Sequence, residues 1–238
     1  MQVFYAPGIS GNEFILDLNE SRHVVRVLRM KEGSEVKLID GRGNLYEGVI
    51  GVADQKRCLI RVTGVRNEFE KRNYRLHIAI SPLKNPDRFE WFVEKAVEIG
   101  VDEITPLLCR NSEKTGIKAE RINNIIVSAM KQSLKAYGTV LNEPALFSEF
   151  VKSPFSGIKM IPHCNSLSER KSIGNVYHPG QDAIILIGPE GDFSRDEIDL
   201  ASGNGYSQVH MGNSRLRSET AGVAACYSVY FINHSQDQ

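Results

Sequence analysis

The chain carries no surplus of either charge. Lys plus Arg and Asp plus Glu number 29 each among 238 residues, a formal net charge of zero. That excludes a histone-like or polybasic binder, although a local basic face on a neutral protein suffices for RNA. Cysteine is scarce: Cys58, Cys109, Cys164 and Cys226 stand singly, with no CxxC pair. This spacing argues against a zinc ribbon, a thioredoxin-like site and a disulfide framework. Four reduced, mostly buried thiols are expected instead. The six histidines include no HxxxH pair, so no metal site is expected. The stretch from Met1 to Gly8 has no basic segment followed by an apolar run. No stretch approaches the roughly 20 apolar residues of a membrane helix. A soluble, cytoplasmic protein with no membrane partner is expected. Low-complexity tracts and internal repeats are absent. With 41% hydrophobic and 24% charged residues, the chain reads as globular, not as disordered, collagen-like or coiled coil.

What is present changes character near residue 70. Before it, short strand candidates alternate with turns. Val36 to Ile39 runs into Asp40-Gly41-Arg42-Gly43-Asn44, a hairpin-type turn, and Leu45 to Val52 and Cys58 to Val65 follow. One helical segment is expected between Ser21 and Met30. Together these predict a small β-barrel. Phe4, Tyr5, Phe14 and Tyr46 form no base-stacking run and are expected in its core. Glu68 to Asn73 has no apolar periodicity and reads as a linker, placing domains at 1–70 and 74–238.

After the linker, strand and helix alternate, which predicts an α/β domain with a mostly parallel sheet. Arg75 to Ile80 is a strand. Asp87 with Glu90 suggests a capping box, opening a helix with the stripe Phe89, Phe92, Val93, Ala96 and Val97 that closes at Gly100. Val101 to Cys109 is the next strand, and Ile122, Ile125, Ile126, Ala129 and Met130 mark a second amphipathic helix. Ile158 to Ile161 is a short strand. The continuous apolar run Ala183 to Ile187 predicts a central strand buried on both faces. Ser194 with Glu197 caps another helix, Tyr206 to Met211 is a strand, and Ser218 to about Ile232 is a closing helix. Its Ala221, Gly222, Ala224, Ala225 and Tyr230 suggest a face for close approach of a second copy, with C2 symmetry the default.

Two glycine loops stand at strand ends: Gly188-Pro189-Glu190-Gly191-Asp192-Phe193 and Gly212-Asn213-Ser214. Ligands of open α/β sheets bind at the carboxyl ends of strands, where glycine lets main chain approach them. Neither loop is a GxGxxG fingerprint or a GxxxxGK[ST] loop. Pro189 also lacks the N–H that a pyrophosphate would need. The pattern suits an adenosine-type ligand held by main-chain groups and apolar walls. A nucleotide-dependent oxidoreductase is disfavoured, because its fingerprint and acidic ribose partner are missing.

The run Leu186-Ile187-Gly188-Pro189-Glu190-Gly191, continued by Asp192 to Ile198, resembles the signature of RsmE-type ribosomal RNA methyltransferases of the SPOUT (trefoil-knot) superfamily. Met211-Gly212-Asn213-Ser214-Arg215-Leu216-Arg217-Ser218-Glu219-Thr220-Ala221 does so as well. Asp87 to Trp91 with Lys95, Glu98, Ile99 and Gly100, and His23 to Arg29, extend the resemblance to nearly the whole chain. It implies a PUA-like N-terminal β-barrel that helps hold RNA and a C-terminal trefoil-knotted α/β domain. It further implies S-adenosylmethionine as cofactor, a homodimer, and methylation of N3 of one uridine in 16S ribosomal RNA or the small ribosomal subunit. The sequence departs from the family pattern at Asp192, where Gly is usual, at Ser214-Arg215, and at Lys131 and Lys135, where an acid and an Arg are usual.

The resemblance assigns cofactor contacts to Leu186, Ile187, Gly188, Pro189, Gly191, Met211, Gly212, Asn213 and Leu216. Methylation at N3 requires loss of a weakly acidic N–H and stabilisation of the resulting uracil anion. Arg215 and Arg217 are candidates to neutralise that anion, and Glu190 to accept a proton. Glu219 and His210 are further candidates, and no general base is named. The target base is expected to leave its stack. Arg22, Arg26 and Arg29, spaced to line one side of a helix, are expected to grip phosphates, with Lys135, Lys131 and Arg110 as weaker candidates. The alternative is an RNA-binding or ribosome-assembly module that keeps this fold without turnover.

Overall fold

A computed structural model describes residues 2–165 and 169–235. The chain forms two compact units: Met1–Lys71 with Val127–Gly138, and Arg72–Ile126 with Thr139–Gln238.

The first unit contains β1 (Gln2–Tyr5), β2 (Glu13–Ile15), α1 (Leu18–Arg22), β3 (Glu35–Ile39), β4 (Leu45–Val52) and β5 (Leu59–Arg66). The strands form one sheet in the order β1-β3-β4-β5-β2. Phe4, Leu38, Ile50 and Ile60 pack in its core, with Phe14 and Tyr46 against them. The β3–β4 turn closes on Asp40, whose Oδ1 accepts the N–H groups of Arg42 and Asn44 at 2.8 and 3.1 Å. Burial pushes this carboxyl up, but the hydrogen bonds from Asn44 and Arg42 outweigh it and leave the pKa lowered.

The helix expected from Ser21 to Met30 is broken. Regular α-helix ends at Arg22, and a π-helical segment, His23–Val27, takes over. Arg29 lies beyond it in the left-handed region, at φ +52°. Arg22, Arg26 and Arg29 are all exposed, yet they do not share one face of one regular helix. The wider π turn and the reversed φ each shift the angular spacing on which that expectation rests. Arg26 also donates to Gln55 Oε1 at 2.8 Å. Within this unit Lys131 is ion-paired with Glu20, and Lys135 lies half-buried just past the helix that carries Lys131. A boundary near residue 70 did not anticipate that 127–138 cluster here.

The second unit contains β6 (Leu76–Ile80), α2 (Pro86–Ile99), β7 (Glu103–Leu108), the start of α3 (Ala119–Ser133), β8 (Val140–Leu141), β9 (Ala145–Leu146), α4 (Phe147–Phe150) and β10 (Ile158–Pro162). It continues through β11 (Lys171–Ser172), β12 (Ala183–Ile187), α5 (Arg195–Gly203), β13 (Ser207–His210) and α6 (Ser218–His234). The sheet runs β11-β13-β10-β12-β6-β7-β8, with β9 beside β7. Every pairing is parallel. β12 is buried at all five positions, as its unbroken apolar run requires. No described helix is long and apolar enough to cross a membrane.

Helix α2 buries the predicted stripe of Phe89, Phe92, Val93, Ala96 and Val97. Its cap is Asn85 and not Asp87. Pro86 takes the first helical position, so the Asn85 side chain accepts from Asp87 N–H at 2.9 Å. Glu90 is then free of a capping role and pairs with Arg121 at 2.6 Å. Helix α6 packs against α2 inside this unit. A Cβ added at Gly222 would stand 2.6 Å from the Phe92 ring, and Ala225 is fully buried. The small-residue stripe is thus partly consumed within the chain. The exposed face of α6 carries Tyr227 and Phe231 instead, with rings stacked 6.1 Å apart.

Gly222→Val is expected to destabilise the fold by roughly 1–3 kcal/mol through overpacking against Phe92. A urea midpoint that stays at the wild-type value would contradict the close α2–α6 approach.

Candidate functional site

The sheet brings the two glycine loops together. β10 lies between β12 and β13, so the segments that follow these three strands emerge side by side at their carboxyl ends. They enclose a cleft of about 290 Å³. Its lining includes Ile187, Gly188, Pro189 and Glu190 from the β12 loop, and Met211, Gly212, Arg215, Leu216 and Arg217 from the β13 loop. Each of these was singled out in the sequence. Three expected residues do not line it. Leu186 is fully buried, with its side chain packed in the hydrophobic core. Gly191 turns toward Asn111, whose Cβ would lie 3.3 Å from an added Cβ. Asn213 points into solvent.

The walls are bare main chain for a reason. At Gly188 a Cβ would meet the Phe193 ring at 3.2 Å, and Phe193 belongs to the core. Gly212 has φ +102° with open space around it, so it is the backbone turn and not crowding that favours glycine there.

Hydrogen bonds hold the β12 loop to its neighbours on several sides. Ser81 N–H donates to Ile187 O at 3.0 Å, and Lys84 N–H to Glu190 Oε1 at 3.0 Å. The Asn111 amide donates to the carbonyls of Gly191 and Asp192 at 3.3 and 3.0 Å. Asp192 has φ +61°, the conformation that a glycine would adopt at no steric cost. Its side chain compensates. One oxygen accepts Phe193 N–H and the other Cys164 N–H, each at 2.8 Å. Asp192 therefore clamps the β12 loop to the segment after β10. The capping box of α5 forms as read, and Glu197 also accepts Arg110 N–H at 2.7 Å.

Sequence reasoning missed much of the opposite wall: Pro162, His163, Cys164, Arg170 and Arg88. His163 was an isolated neighbour of Cys164 with nothing in its spacing to mark it. In the fold, its Nδ1 accepts Asn165 N–H at 3.2 Å, which leaves Nε2–H to donate to Gln208 Oε1 at 3.0 Å. Gln208 passes the chain on to Ser202 at 2.9 Å. Burial holds His163 below the ordinary 6.5, outweighing the Gln208 hydrogen bond and the nearby Asp192 charge. Arg88 reaches Glu219 at 3.7 Å, so Glu219 is occupied within the first turn of α6. Arg215 and Arg217 are exposed and form no ion pair among the described residues. Among those residues no group of three His, Cys, Asp or Glu is placed to hold a metal. Cys58, Cys109 and Cys226 are buried free thiols, and Cys164 is exposed.

Two measurements check this wall. Asp192→Ala leaves two amides without their charged acceptor and should cost about 1.5–3 kcal/mol, with faster hydrogen exchange at Cys164 and Phe193. Because His163 binds its proton less readily folded than unfolded, the unfolded chain takes up more protons as pH falls below 6.5. Stability should therefore decline on acidification from that point. The His163 ring resonances should titrate below an unfolded-peptide histidine.

Comparison with known proteins places this geometry in a family. The family model described as RNA methyltransferase domain matches residues 70–230, and that described as RNA methyltransferase PUA domain matches 16–63. Ribosomal RNA small subunit methyltransferase E of Mesomycoplasma hyopneumoniae is 32% identical over 229 residues, covering 94% of this chain and 96% of that protein. A crystal structure of a probable rRNA-methyltransferase from Porphyromonas gingivalis is 40% identical, with a TM-score of 0.92 and 99% of each chain covered. Ribosomal RNA small subunit methyltransferase E from Neisseria gonorrhoeae, solved bound to S-adenosyl methionine, is 25% identical with a TM-score of 0.87 over 96% of each chain. With its N-terminal PUA domain and its parallel α/β sheet, the chain belongs to the RNA methyltransferase family, among the RsmE-type ribosomal RNA methyltransferases.

Proposed function

We propose that this protein methylates N3 of a specific uridine in 16S ribosomal RNA, using S-adenosylmethionine, in the cytoplasm. The observation that carries the reading is the cleft where β10, β12 and β13 end, with glycine main chain and apolar side chains as walls and two arginines at its mouth that form no ion pair among the described residues. The residues present suit such a donor. Ile187, Pro189, Met211 and Leu216 offer apolar surface to an adenosyl group, and Gly188 and Gly212 bring backbone close to it. S-adenosylmethionine supplies a methyl group already activated by a positively charged sulfur.

The chain's own residues then have three tasks. The first is alignment, for which the loop must be rigid; the Asp192 clamp, the Asn111 amide and the Glu190 contact to Lys84 N–H provide that. Holding reactants in line contributes roughly 7–11 kcal/mol in favourable cases. The second is electrostatic. When N3 loses its proton the uracil ring becomes anionic, and the Arg215 and Arg217 guanidiniums face that charge. Glu190, fixed at the same mouth, is the carboxylate in reach to accept the departing proton, which then passes to solvent. The third is holding the RNA. Residues 1–70 form the RNA-binding unit, through Arg22, Arg26 and Arg29, with Lys135 added by the 127–138 segment that clusters with them, and 74–238 the methyltransferase unit.

Two finer features belong to the same reading. The chain threads a trefoil knot in the second unit, as the family resemblance implies. It works as a homodimer, for which the exposed Tyr227 and Phe231 rings supply an apolar contact face on α6. Light scattering at micromolar concentration should return twice the chain mass, and a monomer would refute the pairing.

Arg217→Ala should lower kcat about 10²- to 10³-fold, the range seen when one stabilising donor is removed. Calorimetric affinity for S-adenosylmethionine should stay near wild type. Mapping RNA from cells that lack the protein provides the decisive test: one N3-methyluridine in the small subunit should disappear. A full complement of that modification would overturn the assignment.

A further inference from the structure

A second cleft, of about 330 Å³, opens beside the first within the same unit. It is built on the loops after β6 and β7, the next strands along the sheet from β12. Leu83, Phe89 and Ile122 are almost fully buried and form its floor. Pro86 and Ile117, more exposed, stand as apolar side walls. Lys114 and Lys118 line it without an ion pair among the described residues. Arg121 lies there too, but Glu90 neutralises it at 2.6 Å. Asp87 is the remaining charged group on the rim.

The two clefts share a wall. Arg88 lines the first, while its sequence neighbours Asp87 and Phe89 line the second. Lys84, directly after Leu83, is bonded through its N–H to Glu190 of the first cleft. This wall therefore offers a polymer with one unit at the mouth of the first cleft a direct path for an adjoining unit.

We infer that the second cleft is a subsite for an RNA nucleotide neighbouring the target uridine. It rests on the methyltransferase reading above and adds a specificity site to it. The chemistry fits a nucleotide in both parts. A planar base gains apolar contact between Pro86 and Ile117, as unstacked bases do on protein surfaces. Its flanking phosphates meet Lys114 and Lys118. A carboxylate only accepts hydrogen bonds, so Asp87 selects a base edge that presents N–H donors. An apolar peptide would leave both lysines uncompensated. A simple anion would leave the apolar walls unused.

The test uses the full-length protein, S-adenosylmethionine and 16S RNA in small ribosomal subunits. Lys114→Ala combined with Lys118→Ala should raise the RNA KM roughly tenfold and, for two single-strand phosphate contacts, reduce the salt slope of binding by about 1.4. Gly116→Phe is an independent probe. A Cβ at Gly116 meets nothing within 4 Å and its φ is ordinary, so the ring can fill the cleft without disturbing the fold. It too should raise the RNA KM, while calorimetric affinity for S-adenosylmethionine stays unchanged in both variants. Asp87→Asn should alter the preference for the base beside the target. If wild type methylates and both the lysine variant and Gly116→Phe keep its RNA KM and salt slope, the subsite is refuted alone. A wild-type protein that transfers no methyl group to any small-subunit RNA overturns the underlying function and the subsite with it.

Discussion

The second unit is organised by one buried strand. Ala183 to Ile187 is shielded on both faces and bonded on both edges to parallel strands, β6 and β10. A strand in that position cannot shift register without breaking two ladders at once. Its carboxyl end is therefore a fixed point, and the loop that starts at Gly188 inherits that precision. Both clefts lie along the same edge of the sheet. The loops after β10 and β13 build one side, and those after β6 and β7 build the other.

Rigidity at that edge comes from polar groups as well as from Phe193, which anchors the β12 loop in the core. Asp192 illustrates the exchange. A left-handed backbone costs an ordinary residue about 1–2 kcal/mol, and glycine would avoid it. The carboxylate answers with two hydrogen bonds that a glycine does not make, one to its own loop and one across to Cys164. Departure from the family pattern here strengthens a connection between the two walls. On the far wall, the His163–Gln208–Ser202 chain plays the same part, with burial disfavouring the charged imidazole.

Much of the site was legible because its signals are local. An unbroken apolar pentapeptide followed by Gly-Pro-Glu-Gly announces a central strand and a tight loop at its exit. Ser194 and Glu197 announce the capping box. The stripe from Phe89 to Val97 follows helical spacing so closely that each member is buried. The errors have local causes too. The pattern of an acid and a later Glu points to Asp87 as a cap, but Asn85 and Pro86 set the helix start two positions earlier. Arg22, Arg26 and Arg29 do not line one regular helix, because a π-helical segment, which has no compositional mark, takes over from it. Leu186 adjoins the loop in sequence, but its side chain packs into the core while that of Ile187 lines the cleft.

By itself the sequence determined the element types, the central strand, the two glycine loops and, through their motifs, the family. Each of these depends on residues within a few positions of one another, where periodicity and backbone preference act. Tertiary structure alone decided what faces what. His163, Cys164 and Arg170 became a wall because β10 lies between β12 and β13 in space and not in sequence. Gly222 became a packing contact because Phe92 lies across from it on α2. The segment 127–138 joined the first unit across the whole intervening stretch 72–126. Contacts between distant residues are settled by the competition of whole surfaces for burial, and no short stretch of sequence carries that result.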